Sequence, residues 1–479
     1  MASAEWESVI GLEVHVELAT ATKLFCGCPN AFGDEPNTNV CPVCLGLPGS
    51  LPVINERAVE LAARVGLALG CDVRPSIFAR KNYFYPDMPK DYQVSQYDRP
   101  INVAGRLDLP SGLRVGITRA HLEEDTGKST HVGTSGRIHG AEHSLIDYNR
   151  AGVPLLEVVS EPDIRTADQA REYVTELRAV LLAVGASDAK MEEGSMRVDA
   201  NVSVRRGRDE PFGTRCEIKN LNSLRSLGRA IEYEAARQVE LLEAGEVVVQ
   251  ETRHWDEAAG RTRPGRRKEE ADDYRYFPEP DLVPVEPDPE WLAELRGALP
   301  PLPADRRVRL AETAGVDPME PVVALLVQRD QDALALAAIA AGGEPVRVLT
   351  HVEHDITAEA SAGFDPAALA TVVAMEGKRE LTPTQAKDVL RTIAERGGAA
   401  DAAAVAAELG FEAMETGELA RLVDEAIAAN AGAWEKVLAG NDKAAGAITG
   451  HVMKATKGKA DGKAIAELLA ERKAAAAGS

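Results

Sequence analysis

The chain has 479 residues, with 54 Lys+Arg against 76 Asp+Glu and a formal net charge of −22. Hydrophobic residues at 45% and charged residues at 27% exclude a wholly disordered, collagen-like or membrane-spanning chain, and the acidic balance excludes indiscriminate binding of nucleic acid by the whole surface. The length predicts about two to four domains. Met1 to Ile10 carries neither a basic n-region nor an apolar h-region, so the cytoplasm is the expected compartment and no membrane association is expected.

Taken in chain order, Leu12, Val14, Val16 and Leu18 alternate with Glu13, His15 and Glu17, which predicts a strand with one buried face. Residues 26–44 follow with Cys26, Cys28, Cys41 and Cys44. Four thiolates on two short turns suit tetrahedral zinc better than disulfides in a cytosolic chain. Such an ion has no open coordination position, so its expected role is to staple the loop. Cys71 and Cys216 read as buried thiols. Helices are predicted from about Asn55 to Gly70, from an N-cap at Thr166 to Gly185, and from Ser223 to Gly245. Strands are predicted at 114–125, 155–160, 196–205 and 215–219, without one helix per strand, so the sheet should be largely antiparallel.

Several stretches carry chemistry. Tyr83, Phe84, Tyr85, Tyr92 and Tyr97 fall close together among Lys and Asp; such rings can stack a base or a nucleic-acid end, or pack as a rigid Tyr/Pro loop on the core. Residues 124–129 imitate a phosphate-binding loop, but Leu122 stands where that loop needs glycine. The polar strand faces gather Glu13, His15, Glu123, Glu124, Asp125, Glu157, Asp199 and Glu217. Either that face is solvated, or it is an acidic patch neutralised by a hard cation, for which magnesium is the first choice. Six Lys/Arg against Asp256 and Glu257 give +4 over residues 253–268, enough to contact phosphates or to balance the acids that follow. No nucleophile elbow of the serine-hydrolase kind is present.

Eight prolines between Pro278 and Pro303 predict a linker, after which the chain turns Ala-rich and helical, with a break at Gly397-Gly398. The expected fold class is therefore α+β: a largely antiparallel sheet with flanking helices over residues 1–285, a linker at 286–303, an all-α domain at 304–398 and a small helical tail domain at 399–479. From Asn441 onward seven Lys/Arg outnumber four Asp/Glu, so the tail is +3 on an acidic protein.

The strings Val9-Ile10-Gly11-Leu12-Glu13-Val14-His15-Val16-Glu17, Lys81-Asn82-Tyr83-Phe84-Tyr85-Pro86-Asp87, His121-Leu122-Glu123-Glu124-Asp125 and Asp273-Tyr274-Arg275-Tyr276-Phe277-Pro278 resemble the B-subunit family of tRNA-dependent Asn/Gln amidotransferases. The resemblance is dense over the first 285 residues, thins in the middle helical region, and returns at His451-Val452-Met453-Lys454. The archaeal E-type paralogue carries an inserted domain for which this chain has no room. The resemblance implies a cradle-shaped domain that uses ATP and Mg2+ to phosphorylate the side-chain carboxylate of mischarged Glu-tRNA(Gln) or Asp-tRNA(Asn). Ammonia from a partner amidase, the A subunit, then displaces phosphate, in a heterotrimer completed by the small C subunit. It further implies magnesium at Glu13, Glu124 and Glu157, His15 positioning metal-bound water or substrate, and Lys81 on phosphate charge. Glu123 joins the kinase site, with Asp199, Lys219 and Asn220 as further members, and the four cysteines match a Zn2+ loop found in some members. Two rivals stand beside this reading: a non-catalytic tRNA-binding adaptor and a free-standing carboxylate–amine ligase. The tail, with Lys454, Lys457, Lys459 and Lys463, is expected to grip tRNA, with the Gly397-Gly398 break as its hinge.

Overall fold

The computed structural model describes residues 6–133, 141–265, 274–411, 416–456, 460 and 462–477. The chain divides into two compact units, Met1–Ala304 and Asp305–Ser479.

The first unit is built from β1 (Trp6–Glu17), α1 (Glu56–Ala68), β2 (Asp72–Val73), β3 (Ala79–Asn82), β4 (Tyr92–Ser95), β5 (Asn102–Asp108), β6 (Arg114–Glu124), β7 (Lys128–Gly133), β8 (Ala141–Asp147), β9 (Pro154–Ser160), α2 (Ala167–Ala183), β10 (Met196–Arg206), β11 (Cys216–Leu221), α3 (Leu224–Glu243), β12 (Thr252–Asp256), β13 (Arg261–Pro264), β14 (Phe277–Pro278) and α4 (Pro289–Gly297). Among the described residues twelve of these strands form one sheet, whose central order is β11-β10-β1-β9-β6-β4-β3. It is antiparallel except where β11 meets β12, as the lack of crossover helices demands.

The three predicted helices begin at the predicted caps. Asn55, Thr166 and Ser223 each accept a backbone N–H of the first turn, satisfying donors that the helix leaves orphaned. The even residues Ile10, Leu12, Val14 and Val16 of β1 share one core with Leu61 and Val65 of α1, Tyr173 and Leu177 of α2, and Leu227 and Ile231 of α3. Each such buried side chain contributes about 1.5–3 kcal/mol. The helices thus cover one face of the sheet and leave the other to the odd residues.

One expectation changes here. The proline-rich stretch is not simply extended: Pro289 occupies the first turn of α4, where its missing N–H costs nothing, Asp288 caps it, and Leu295 is buried. The aromatic segment is framed by two short strands: β3 and β4 pair from Ala79↔Ser95 to Asn82↔Tyr92, with residues 83–91 as their connection.

The second unit is helical among its described residues: α5 (Pro303–Ala314, starting just before the boundary), α6 (Pro321–Gln328), α7 (Asp332–Ala340), α8 (Pro345–His354), α9 (Ala358–Ser361), α10 (Pro366–Gly377), α11 (Pro383–Glu395), α12 (Ala402–Glu408), α13 (Thr416–Ala429), α14 (Ala431–Leu438), α15 (Ala445–Ala455) and α16 (Gly462–Ala477). It contains two apolar clusters. The first runs from Leu310 to Ala406, with Phe411 packed against it, and the second from Leu419 to Leu469. Ala402, Val405 and Ala406 of α12 belong to the first, so the change of core falls after Phe411 and not at Gly398. Gly398 is packed into a corner: a Cβ on it would lie 2.3 Å from the Gly363 carbonyl oxygen, while one on Gly397 would meet nothing within 4 Å, and both glycines have positive φ. No helix of the described residues is long and apolar enough to cross a membrane.

Candidate active site

The face of the sheet opposite α1–α3 floors an open cleft of about 1870 Å³. Register explains its composition. Across β10, β1, β9 and β6, Asp199, Glu13, Val159 and Arg119 lie side by side, and in the next row Arg197, His15, Glu157 and His121 do the same. Strand pleating presents residues of one parity together, so motifs far apart in the sequence converge on one surface.

Two groups of ligand atoms result. His15, Glu123 and Glu157 form one; Glu13, Asp199 and Glu217 form the other, and in each the atoms lie within 4.8 Å of one another. In the first, His15 Nε2 stands 3.8 Å from Glu157 Oε2 and 4.0 Å from Glu123 Oε1, while His121 Nε2 approaches the same Glu157 oxygen at 3.4 Å. In the second, Asn201 Nδ2 donates to Glu13 Oε1 (2.9 Å), Thr252 Oγ1 donates to Glu217 Oε2 (2.7 Å), and Lys219 Nζ donates to Asp199 Oδ2 (2.6 Å) with Glu217 Oε1 at 3.5 Å. These second partners hold the carboxylates in place and leave oxygens facing the cleft. Three oxygen donors, or two with an imidazole, fit a hard divalent cation such as magnesium.

The electrostatics separate the two carboxylates of the first group. Burial, reinforced by the Glu157 charge, raises the Glu123 carboxyl to about 7. For Glu157 burial works in the same upward direction, but the facing His121, His15, Lys81 and Arg119 outweigh it and hold the group down at about 2. Burial pushes the His121 imidazole down to about 4. One carboxylate therefore carries the charge and its neighbour the proton, as two acids this close require. Lys219 is half-buried and shifts upward, because Asp199 and Glu217 overcome its desolvation.

Residues 8–293 match the family model described as the GatB/GatE catalytic domain, and residues 330–472 match the GatB domain. Proteins named as the B subunit of aspartyl/glutamyl-tRNA(Asn/Gln) amidotransferase are similar over nearly the whole length. That of Frankia casuarinae is 51% identical, covering 98% of this chain and 96% of its own. That of Rhodococcus jostii is 52% identical with the same coverage, and that of Nocardia farcinica is 50% identical over 97% and 96%. The chain belongs to this family of tRNA-dependent amidotransferase subunits.

The strings that carry the resemblance to the family supply most of the cleft, but not every residue expected in it. Glu13, His15, Lys81, Glu123, Glu157, Asp199, Lys219 and Asn220 all line it. Glu124 does not. Its carboxylate is on the far side of the sheet, where it accepts a charge-assisted bond from Lys90 Nζ and another from the Val94 N–H at 2.9 Å. Glu217 takes part in its stead, in the second group, while Glu123 serves the first. The physical cause is an irregularity of β6 between Ile117 and Arg119. Val115 and Ile117 are buried on the helix side, but after the irregularity the buried apolar residues are Ala120 and Leu122, so parity inverts and the glutamate pair is read the other way round. Asn220 also shapes the backbone at the cleft wall. It sits at φ 70°, where Asn is tolerated, and its Nδ2 donates to the Trp255 carbonyl at 3.1 Å, fixing a bend beside Lys219.

Sequence reasoning misses Arg119, His121, Arg197, Tyr274 and Tyr276, which line the cleft. The alternation Arg119-x-His121-x-Glu123 is the available signal. The basic stretch 253–268 divides: Arg253 is buried against Glu234 (3.2 Å) and Glu251, and Arg263 pairs with Asp256 at 2.7 Å, while Arg266, Arg267 and Lys268 lie outside the described residues. Lys457 and Lys459 of the tail lie outside them too; Lys454 is exposed on α15.

Away from the cleft, the sulfurs of Cys26, Cys28, Cys41 and Cys44 all lie within 4.8 Å of one another. Tetrahedral zinc with Zn–S near 2.3 Å needs sulfurs roughly 3.8 Å apart, and Cys41 and Cys44 already stand at 3.9 Å. The Cys41 N–H donates to Cys44 Sγ at 3.1 Å. A bond from Cys26 and the charge of Lys23 bring the Cys44 thiol down to about 5, whereas the bond to Cys44 and burial raise Cys26. The residues fit a structural zinc.

Proposed function

We propose that the first unit carries out an ATP-dependent activation of the side-chain carboxylate of mischarged Glu-tRNA(Gln) or Asp-tRNA(Asn), followed by amidation. A carboxylate is a poor acyl electrophile because oxide would have to leave. Attack of its oxygen on the terminal phosphorus of ATP expels ADP and gives an acyl phosphate. Ammonia then attacks the carbonyl carbon, phosphate leaves with the C–O bond electrons, and one proton is lost to give the amide.

The observation that carries the reading is the pair of adjoining ligand groups on one sheet face, joined through Glu13 and His15 of the same strand. Magnesium held by them would neutralise charge on phosphate oxygens. The chain's own side chains do the rest. Asn201 and Thr252 fix the orientation of Glu13 and Glu217, Lys219 relieves repulsion between Asp199 and Glu217, and Lys81 brings a cation to the side of Glu123 and Glu157. Because the relatives are named as subunits, we take the ammonia to come from a partner amidase, the A subunit, that hydrolyses glutamine, with the small C subunit making up a heterotrimer. Zinc at Cys26, Cys28, Cys41 and Cys44 has a structural part, and the second apolar cluster of the helical unit, residues 419–469, is the tRNA-gripping tail.

The test uses the assembled complex. ADP formation that requires magnesium and mischarged tRNA, abolished by Glu157→Gln with glutamine hydrolysis retained, supports the reading. An adaptor would show the same ADP formation with and without that substitution.

A further inference from the structure

The cleft is crowded with carboxylates, and its other cations are mostly neutralised by them. Arg197 bonds Asp125 at 2.5 Å, Lys219 bonds Asp199 and Arg263 bonds Asp256. Arg119 and Lys81 are exceptions: both are half-buried in the lining, and neither has a carboxylate within ion-pair distance among the described residues. The Arg119 Nε is fully buried and has no hydrogen-bond partner among the described residues. A buried guanidinium N–H left unpaired is costly.

What holds these two cations is aromatic. The Arg119 guanidinium lies 5.5 Å from the ring centre of Tyr97, and Lys81 Nζ lies 4.8 Å from that of Tyr274. Tyr276 joins the two mounts, stacked on Tyr97 with centroids 4.5 Å apart at 14° and edge-on to Tyr274 at 6.1 Å. A ring face attracts a cation without cancelling its charge, whereas a carboxylate would consume it. Three tyrosines from two distant segments therefore keep two positive charges fixed and available beside Glu157.

We propose that Arg119, on the Tyr97–Tyr276–Tyr274 bracket, completes with Lys81, which the resemblance already implies on phosphate charge, an anion subsite that grips the phosphoryl group being transferred. The inference rests on the phosphoryl-transfer reading above. Arg119 supplies a planar fork matched to two phosphate oxygens and Lys81 a point charge. Tyr276 is a positioning residue that acts through its ring. The other source of an anionic oxygen in this cleft is the side-chain carboxylate of the aminoacyl ester, and the experiment separates the two.

In the full complex with magnesium, binding of a non-hydrolysable ATP analogue and of mischarged tRNA are measured separately by calorimetry for wild type, Arg119→Gln, Arg119→Lys, Tyr276→Leu and Tyr276→Phe. Expected is a loss of at least tenfold in analogue affinity for Arg119→Gln, a smaller loss for Arg119→Lys, a loss for Tyr276→Leu and near-wild-type binding for Tyr276→Phe, with tRNA affinity changed less than twofold throughout. Unchanged analogue affinity in Arg119→Gln overturns the subsite. A loss confined to mischarged tRNA also overturns it, by making the bound anion the substrate carboxylate. If the wild-type complex itself does not bind the analogue, the phosphoryl-transfer reading has failed instead.

Discussion

Glu123 and Glu124 are the same residue type, one position apart, both almost fully buried, and they end on opposite faces of one sheet with unrelated work. Glu123 faces the cleft in a group with His15 and Glu157 and is raised to about 7. Glu124 faces backward, in an ion pair with Lys90 whose two side chains are 2% and 9% exposed, in a small recess bordered by Cys26 and Cys44. The front face sets Glu123 in the cleft lining beside a second carboxylate, with no lysine or arginine within ion-pair distance among the described residues; the rear face answers the Glu124 charge with a bonded partner. Chemistry thus depends less on a residue being acidic than on whether its neighbours leave the charge unanswered.

The sharpest way to break this comparison is to neutralise each glutamate in turn. Glu123→Gln or Glu157→Gln should lower amidation by about 100-fold or more, roughly 2.7 kcal/mol of transition-state stabilisation, with the unfolding midpoint little changed. Glu124→Gln strands the Lys90 ammonium and should instead lower stability by about 3 kcal/mol, read from denaturant unfolding. If Glu124→Gln cost activity without stability, the faces would not be functionally distinct.

The thiolate loop lies behind the same sheet, and its loss should stay there. Cys41→Ser with Cys44→Ser should remove one zinc per chain by elemental analysis and loosen residues 26–44 to proteolysis. Mn2+ binding in the cleft should change by less than about threefold. Protein purified without chelator that held no zinc would contradict the loop's assigned part.

A subtler contrast lies in pH. A raised carboxyl holds its proton in the folded chain over a range where the unfolded chain has lost it, so in metal-free protein Glu123 ionisation erodes stability as pH rises from about 4.5 to about 7. A cation must displace that proton. Mn2+ affinity should therefore climb by up to about tenfold per pH unit below 7 and level off above it, and Glu123→Gln should flatten the climb. Glu157, held down at about 2, adds no slope in that range.

How much of this is legible in the sequence follows from the same parity argument. Regular alternation in β1 and β10 identifies Glu13, His15 and Asp199 with the correct face, and the caps at Asn55, Thr166 and Ser223 locate the three helices. The four cysteines are legible because their chemistry is local. In β6 the alternation of Val115 and Ile117 runs into an irregularity that leaves no mark in composition, so nothing in the sequence tells that Glu123, and not the Glu124 that the resemblance implies, faces the cleft with His15 and Glu157. Arg119 escapes notice because its meaning lies in having no acidic partner among the described residues, which only the assembled sheet reveals. Gly397-Gly398 reads as a hinge since glycine pairs permit motion, yet here Gly398 permits close packing against Gly363.

The smallest expected effect concerns the end of the chain. Its apolar cluster starts at Leu419, and the preceding core closes with Phe411, so a chain ending at residue 411 leaves that core intact where one ending at 397 would remove Ala402, Val405 and Ala406 from it. The described tie between the last helices and the earlier core includes the Arg379–Glu467 pair, about half exposed on both sides, and such pairs contribute little. Lys454 and Lys463 are exposed cations of this region, and phosphate contacts of that kind add affinity without reading sequence. Lys454→Ala with Lys463→Ala should therefore raise the Michaelis constant for aminoacyl-tRNA only a few-fold, leave kcat unchanged, and reduce the salt slope of tRNA binding by about 0.7–0.9 for each phosphate no longer gripped. Truncation after residue 411 should enlarge both changes in the same direction. If neither moved the salt slope, the tail would be a solvated helix end, and the grip on tRNA would pass to the edge of the cleft around β12 and β13.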